Sequence, residues 1–127
     1  MDGAMTIAAS GLSADTTWLN QIASNVANMR DEWALGSGNP FRSSAVGMSA
    51  NAQGGVSANV TAKSPSTLVA FDPTSPLANT AGLVGTPNVD LVGEIASQSL
   101  ALESYRANVV AFKTAIDMTK TALDTVA

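Results

Sequence analysis

The sequence has 127 residues, of which 46% are hydrophobic and only 5% aromatic, so it is long enough for one domain with a modest core. The absence of histidine and cysteine excludes Ser-His-Asp and Cys-His catalysis, disulfides, and zinc sites built on these residues. A formal net charge of −4 argues against binding to nucleic acid or to anionic membranes, because both favour clustered lysine and arginine.

Glycine and proline divide the chain into three zones. Residues 1–35 are rich in alanine, residues 36–86 hold most of the glycines and prolines, and residues 87–127 contain one glycine after Pro87. We therefore predict an N-terminal helical zone (1–35), a Gly/Pro-rich middle zone (36–86) and a C-terminal helical zone (87–127). The predicted fold is mainly α, with long terminal helices packing as a coiled coil and a short, irregular middle segment that contains β structure.

Apolar residues recur every seven positions in the first zone, as in a helix with one apolar stripe. The repeat comprises Met5, Leu12, Leu19 and Val26, and its companion positions comprise Ala8, Ile22 and Met29, with Asp15 as an interruption. Gly11 lies inside this helix and weakens it by about 1 kcal/mol relative to alanine. An ordinary amphipathic helix on a globular core explains the pattern equally well.

The middle zone has weak strand signals. Apolar and polar residues alternate over 56–62, and 68–71 is a short apolar run that is followed by turn-forming residues at 72–76. These patterns predict a small hairpin or an irregular β element. Too few residues are available for a larger sheet.

The last zone has the strongest periodicity. Five apolar residues follow each other at intervals of seven, and Tyr105 and Phe112 lie at companion positions. The five are Ile95, Leu102, Val109, Ile116 and Leu123. They predict a helix of about 36 residues, roughly 54 Å long, which Asn88 or Asp90 would cap at its N-terminus.

The two apolar stripes differ in length, about 25 against about 36 residues. If they pair as antiparallel helices within one chain, part of the longer stripe stays uncovered and available to another subunit. The alternative is that the middle zone folds back over it. Asn25 and Asn108 each precede an apolar residue of a stripe, where a carboxamide either fixes register across an interface or is simply solvated.

We find no arrangement of residues that predicts catalysis. The glycines at 36 and 38 lack the spacing of a phosphate-binding loop, and the ten acidic residues are scattered. We therefore expect no enzyme activity, no cofactor and no metal site. The start of the sequence lacks the pattern of a secretory signal and the chain has no membrane-spanning stretch, so we expect any export to need no cleaved leader.

Several short motifs resemble those of bacterial flagellar axial proteins. Ala-Ser-Gly-Leu at 9–12 and Ile-Ala-Ser-Asn-Val-Ala-Asn at 22–28 resemble the N-terminal signature of that family. Phe-Asp-Pro at 71–73, Pro-Asn-Val-Asp at 87–90 and Ala-Asn-Val at 107–109 resemble flagellar basal-body rod proteins of the proximal-rod type.

This resemblance implies a structural subunit without catalytic activity. Such proteins are exported through the flagellar type III apparatus and assemble in the periplasm into a helical tube, which is both drive shaft and export channel. The implied partners are other copies of the chain, neighbouring rod proteins, the export apparatus and the membrane ring protein of the basal body. The rival hypotheses are a small helical adaptor or export chaperone that binds through its C-terminal stripe, and a hydrolase of unknown type.

From the stripes and the resemblance together, we predict which residues carry assembly. Subunit packing is assigned to Leu12, Leu19, Ile22, Val26, Leu102, Tyr105, Val109, Phe112 and Ile116. Register is assigned to Asn25, Asn28 and Asn108.

Overall fold

In chain order, two long helices flank a middle region of four short strands. The computed structural model describes residues 2–38 and 40–126. The order of elements is α1 (Asp2–Ala27), β1 (Ser44–Ala50), β2 (Val56–Ala62), β3 (Thr67–Phe71), β4 (Leu83–Pro87) and α2 (Leu91–Val126). The prediction of a mainly α chain with long terminal helices and a β-containing middle is confirmed at this level.

The two helices pack against each other in antiparallel orientation. Gly11 of α1 faces Asn108 of α2, and Asn25, further along α1, binds Glu94 near the start of α2. Since α1 has 26 residues and α2 has 36, the C-terminal part of α2 continues beyond the start of α1.

The middle region consists of two separate antiparallel hairpins. β1 pairs with β2, with Val46 opposite Val60, and β3 pairs with β4, with Val69 opposite Gly85. Strands β2 and β3 lie where the sequence pattern predicts them, whereas β1 and β4 were not predicted. After β3, Asp72 accepts hydrogen bonds from the hydroxyl and the backbone N–H of Thr74, and these bonds lower the pKa of its carboxyl.

The β1–β2 hairpin lies along α1 and is attached at both ends. At its base, Ser44 exchanges hydrogen bonds with Asn25, and at its tip the Val56 N–H donates to the Ser10 hydroxyl at 3.0 Å. Gly55 has a φ of 87°, and a side chain there would collide with Ser10. Glycine at this position therefore allows the tip to approach the helix closely.

The core is small and built largely from alanine. The buried apolar residues among those described are Ala8, Ala14, Ile22, Val84, Ala101 and Ala115. The buried polar residues are Asp15, Asn25, Ser43 and Glu94. Large side chains contribute little to this core, in agreement with the low aromatic content of the sequence.

Asp90 forms the N-terminal cap of α2. Its carboxylate accepts hydrogen bonds from the backbone N–H groups of Val92 and Gly93, both at 3.2 Å. We expect Asp90→Ala to lower the free energy of unfolding by about 1 kcal/mol, and Asp90→Asn, which retains an acceptor oxygen, to cost much less. Urea unfolding of the two purified variants checks this prediction, and equal stabilities would contradict a capping role.

Candidate subunit-packing face

The face of α2 that contacts α1 consists of small and polar residues. Glu94, Ala101 and Ala115 are buried, and Asn108 between them is half-buried. Successive members of this set are seven positions apart, and each lies one position before a residue of the predicted apolar stripe. The apolar stripe of α2 therefore flanks the contact with α1 instead of forming it.

The apolar stripe of α2 stays exposed in the single chain. Between 38% and 67% of the surface of its five residues is accessible to solvent. The five are Ile95, Leu102, Val109, Ile116 and Leu123. Tyr105 and Phe112, at the companion positions, are half-buried.

The predicted packing residues of α1 lie beside its buried positions. Leu12 and Leu19 follow the buried Ala8 and Asp15 by four residues, and Val26 follows the buried Ile22 by four. All three are half-buried, while the fourth predicted residue of this helix, Ile22, is buried.

Helical geometry brings both apolar stripes to one side of the helix pair. A step of four residues turns a helix by about 40° and a step of one turns it by about 100°, in the same sense. On α2, Tyr105 and Phe112 each lie four positions after a residue that contacts α1. Val109 lies one position after such a residue. In two antiparallel helices, residues that are displaced in the same rotational sense from the contact face of each helix lie on the same side of the helix pair.

We call this side the assembly face. It comprises Leu12, Leu19, Val26, Leu102, Tyr105, Val109, Phe112 and Ile116. The β1–β2 hairpin does not cover it, because the hairpin is attached to Ser10 and Asn25 on another side of α1. The structure thus joins two stripes that are remote in sequence into one apolar surface.

Asn25 connects three elements at one end of the helix pair. Its amide donates to the Ser44 carbonyl at 2.8 Å and to Oε1 of Glu94 at 2.9 Å, and its Oδ1 accepts from the Ser44 N–H at 3.2 Å. Lys63 of the segment after β2 pairs with the same Glu94 oxygen at 2.8 Å. The side chains of Lys63 and Glu94 line a cleft of about 250 Å³ between the hairpin and the helices.

Asn108 makes the corresponding connection near the middle of the pair. Its amide donates to Oδ2 of Asp15 at 2.8 Å, and the Ser104 hydroxyl donates to the same oxygen at 3.1 Å. Asn28 differs, because its amide donates to the Ser24 carbonyl of its own helix at 2.8 Å. Two of the three predicted register residues therefore bind across the α1–α2 contact of one chain.

Sequence reasoning missed the acidic partners of these asparagines. In the sequence pattern, Asp15 appears only as an interruption of the apolar stripe, and Glu94 has no predicted role. For Asp15 and Asn108 a signal exists, because a polar residue at a stripe position of one helix lies opposite an asparagine beside the stripe of the other. Glu94 and Asn25 both lie beside their stripes, so the same pattern does not pair them.

Within 2–38 and 40–126, no three acidic side chains come together in a way that could hold a metal ion. No helix in this part of the chain is both long and apolar enough to cross a membrane.

Comparison with curated proteins identifies relatives along most of the chain, although no protein-family model matches it. Flagellar basal-body rod protein FlgC of Escherichia coli O6:H1 is 37% identical over 119 residues, which cover 88% of this chain and 87% of that protein. FlgC of Salmonella typhimurium is 36% identical over the same shares, and FlgC of Bacillus subtilis is 30% identical over 94% of each chain. These relatives are structural rod proteins and not enzymes. The chain therefore belongs to the FlgC family of flagellar basal-body rod proteins and is a structural subunit of the bacterial flagellar basal-body rod.

Proposed function

We propose that this subunit assembles through the assembly face, packing against other copies of itself and against neighbouring rod proteins. The supporting observation is that the apolar stripe of α2 is exposed in the single chain, and that the half-buried stripe of α1 lies on the same side of the helix pair. A contiguous apolar surface on a single chain marks an interaction site. The interval of seven between its apolar residues suits coiled-coil packing. The product is a helical tube that transmits torque and encloses an export channel.

In this proposal, Asn25 and Asn108 set register indirectly. By fixing α1 against α2 through Glu94 and Asp15, they determine which residues of the two stripes lie side by side on the assembly face. Asn28 remains a proposed register residue at the end of α1, where it is half-buried.

The three zones of the chain have different roles in this proposal. The terminal zones, 1–35 and 87–127, form the wall of the tube, and the middle zone, 36–86, lies outside the helix layers. We propose delivery through the flagellar type III export apparatus without a cleaved leader, and a position in the periplasmic rod in contact with the membrane ring protein. The names of the relatives, which place them in the basal-body rod, support this location.

Deleting the gene for this chain should leave the host with basal bodies that lack a complete rod. Expression of the chain from a plasmid should restore the rod, as seen by electron microscopy of isolated basal bodies. Mass spectrometry of the same particles should detect the chain as a stoichiometric component.

The same experiment distinguishes the rival hypothesis. A small helical adaptor or export chaperone would use the exposed stripe of α2 to hold a partner in the cytoplasm. It would be required for rod formation but absent from purified basal bodies. Normal rods in the deletion strain would contradict both hypotheses.

A further inference from the structure

Strand β3 has one edge that pairs with no other strand among the described residues. It pairs with β4 on one side, and it contacts no other helix or strand. The backbone of β4 is used on both sides, because Trp33 forms an isolated bridge with Gly85 on the edge opposite β3.

The pairing with Trp33 determines which groups of β3 point outward. The backbone N–H and C=O groups of Gly85 both form hydrogen bonds with Trp33, at 2.9 and 3.1 Å. Val69, which lies opposite Gly85 in the pairing of β3 with β4, therefore forms no backbone hydrogen bond with Gly85. In an antiparallel ladder such pairs alternate with hydrogen-bonded ones. Thr67, Val69 and Phe71 therefore direct their N–H and C=O groups to the open edge, whereas Leu68 and Ala70 bond to β4.

The open edge is also apolar and uncharged. Val69 is 60% exposed and Phe71 is 71% exposed, and residues 67–71 contain no charged residue, proline or glycine. Natural proteins usually protect such edges with lysine, proline or a bulge. A sheet of two strands is also marginal by itself, so pairing with a further strand would stabilise it.

We infer that β3 pairs with β3 of a second copy of this chain, in antiparallel orientation about a two-fold axis. The outward groups at 67, 69 and 71 are symmetric about Val69, so the edge is complementary to itself. Val69 lies opposite Val69 of the second copy and Thr67 lies opposite Phe71, which gives six backbone hydrogen bonds and a four-stranded sheet.

The second copy is favoured over other strands because it brings the same uncharged edge in a register that fits. The nearest charged residue is Asp72, directly after β3. In the antiparallel pair, the Asp72 carboxylates of the two copies lie at opposite ends of the paired strands and do not face each other. Two-fold pairing of identical surfaces is the commonest mode of self-association. A five-residue edge buries less than the roughly 1,000 Å² of a stable interface, so the dimer is weak and reversible.

This inference does not depend on the proposed function, because it concerns the chain before assembly. A two-fold pair uses β3, whereas the assembly face consists of residues on α1 and α2. Failure of the dimer would leave the rod proposal intact, and failure of the rod proposal would leave the dimer intact.

Single-cysteine cross-linking tests the pairing, since the chain has no native cysteine. Opposed residues of a hydrogen-bonded antiparallel pair have Cα atoms about 5.5 Å apart, within the range of a disulfide. Val69→Cys should form a disulfide dimer under mild oxidation at least about tenfold faster than Thr80→Cys, which lies in the exposed connection before β4. Leu68→Cys should stay slow alone and react with Ala70→Cys, which it faces across the two-fold axis.

The wild-type chain offers a second measurement that needs no substitution. Raising the protein concentration should slow hydrogen exchange at the amides of residues 67, 69 and 71, and should change the amides of 68 and 70 much less. Cross-linking of Val69→Cys at the rate of Thr80→Cys would overturn the inference, as would exchange at 67, 69 and 71 that is independent of concentration.

Discussion

Replacing Val109 with aspartate is expected to abolish rod assembly and motility while the free chain still folds and is exported. Val109 is 42% exposed in the single chain, so a carboxylate there stays hydrated and has little effect on folding. In the proposed assembly, Val109 would lie in the centre of the assembly face. An unpaired charge buried at that position costs several kcal/mol at every copy.

The neighbouring residue provides a matched control. Val110 is 65% exposed on the same helix, but it points away from both α1 and the assembly face. Val110→Asp adds the same charge to the same residue type and should leave rods and motility largely intact. Soft-agar motility, electron microscopy of basal bodies and export of the chain are measured for both variants. A motile Val109→Asp strain, or equal loss in the two strains, would contradict the assignment of this face.

The sequence predicts α2 well because a heptad pattern reports both the period of a helix and its apolar side. It cannot report which neighbour covers that side. Within the chain, α1 contacts the stripe of Glu94, Ala101, Asn108 and Ala115, and the apolar stripe that begins one position later remains open. Alanine and polar residues give no hydrophobic signal, so the contact between the two helices was not visible in the pattern.

The strands show the same limit on a smaller scale. β2 alternates valine and alanine with polar residues and is predictable, but its partner β1 contains Gly47 and two serines among its seven residues. β4 contains Gly85 and Pro87, which argue against a strand by local propensity. The structure explains Gly85 by close contact, since a side chain there would collide with the indole of Trp33. Such tertiary reasons for a glycine are not readable from neighbouring residues.

Replacing Gly11 with alanine is expected to destabilise the helix pair, although alanine favours a helix by about 1 kcal/mol. A Cβ atom at this position would lie 2.6 Å from Nδ2 and 2.7 Å from Oδ1 of Asn108. The carboxamide would have to move, and moving it breaks its 2.8 Å hydrogen bond to the buried Asp15. A buried carboxylate that loses a partner costs about 1–3 kcal/mol or more, so the loss exceeds the gain in propensity.

Gly3 supplies the control because it lies in the same helix with nothing within 4 Å of an added Cβ. We expect Gly3→Ala to leave stability unchanged or raise it by up to about 1 kcal/mol, and Gly11→Ala to lower it by about 1 kcal/mol once the gain in helix propensity is subtracted. Urea unfolding monitored by circular dichroism measures both. In the double variant Gly11→Ala/Asn108→Ala the collision is removed. The free energy of unfolding should therefore fall by much less than the sum of the losses in the two single variants. If Gly11→Ala instead stabilises the chain as Gly3→Ala does, then Asn108 is free to rearrange and does not fix the register of α1 against α2.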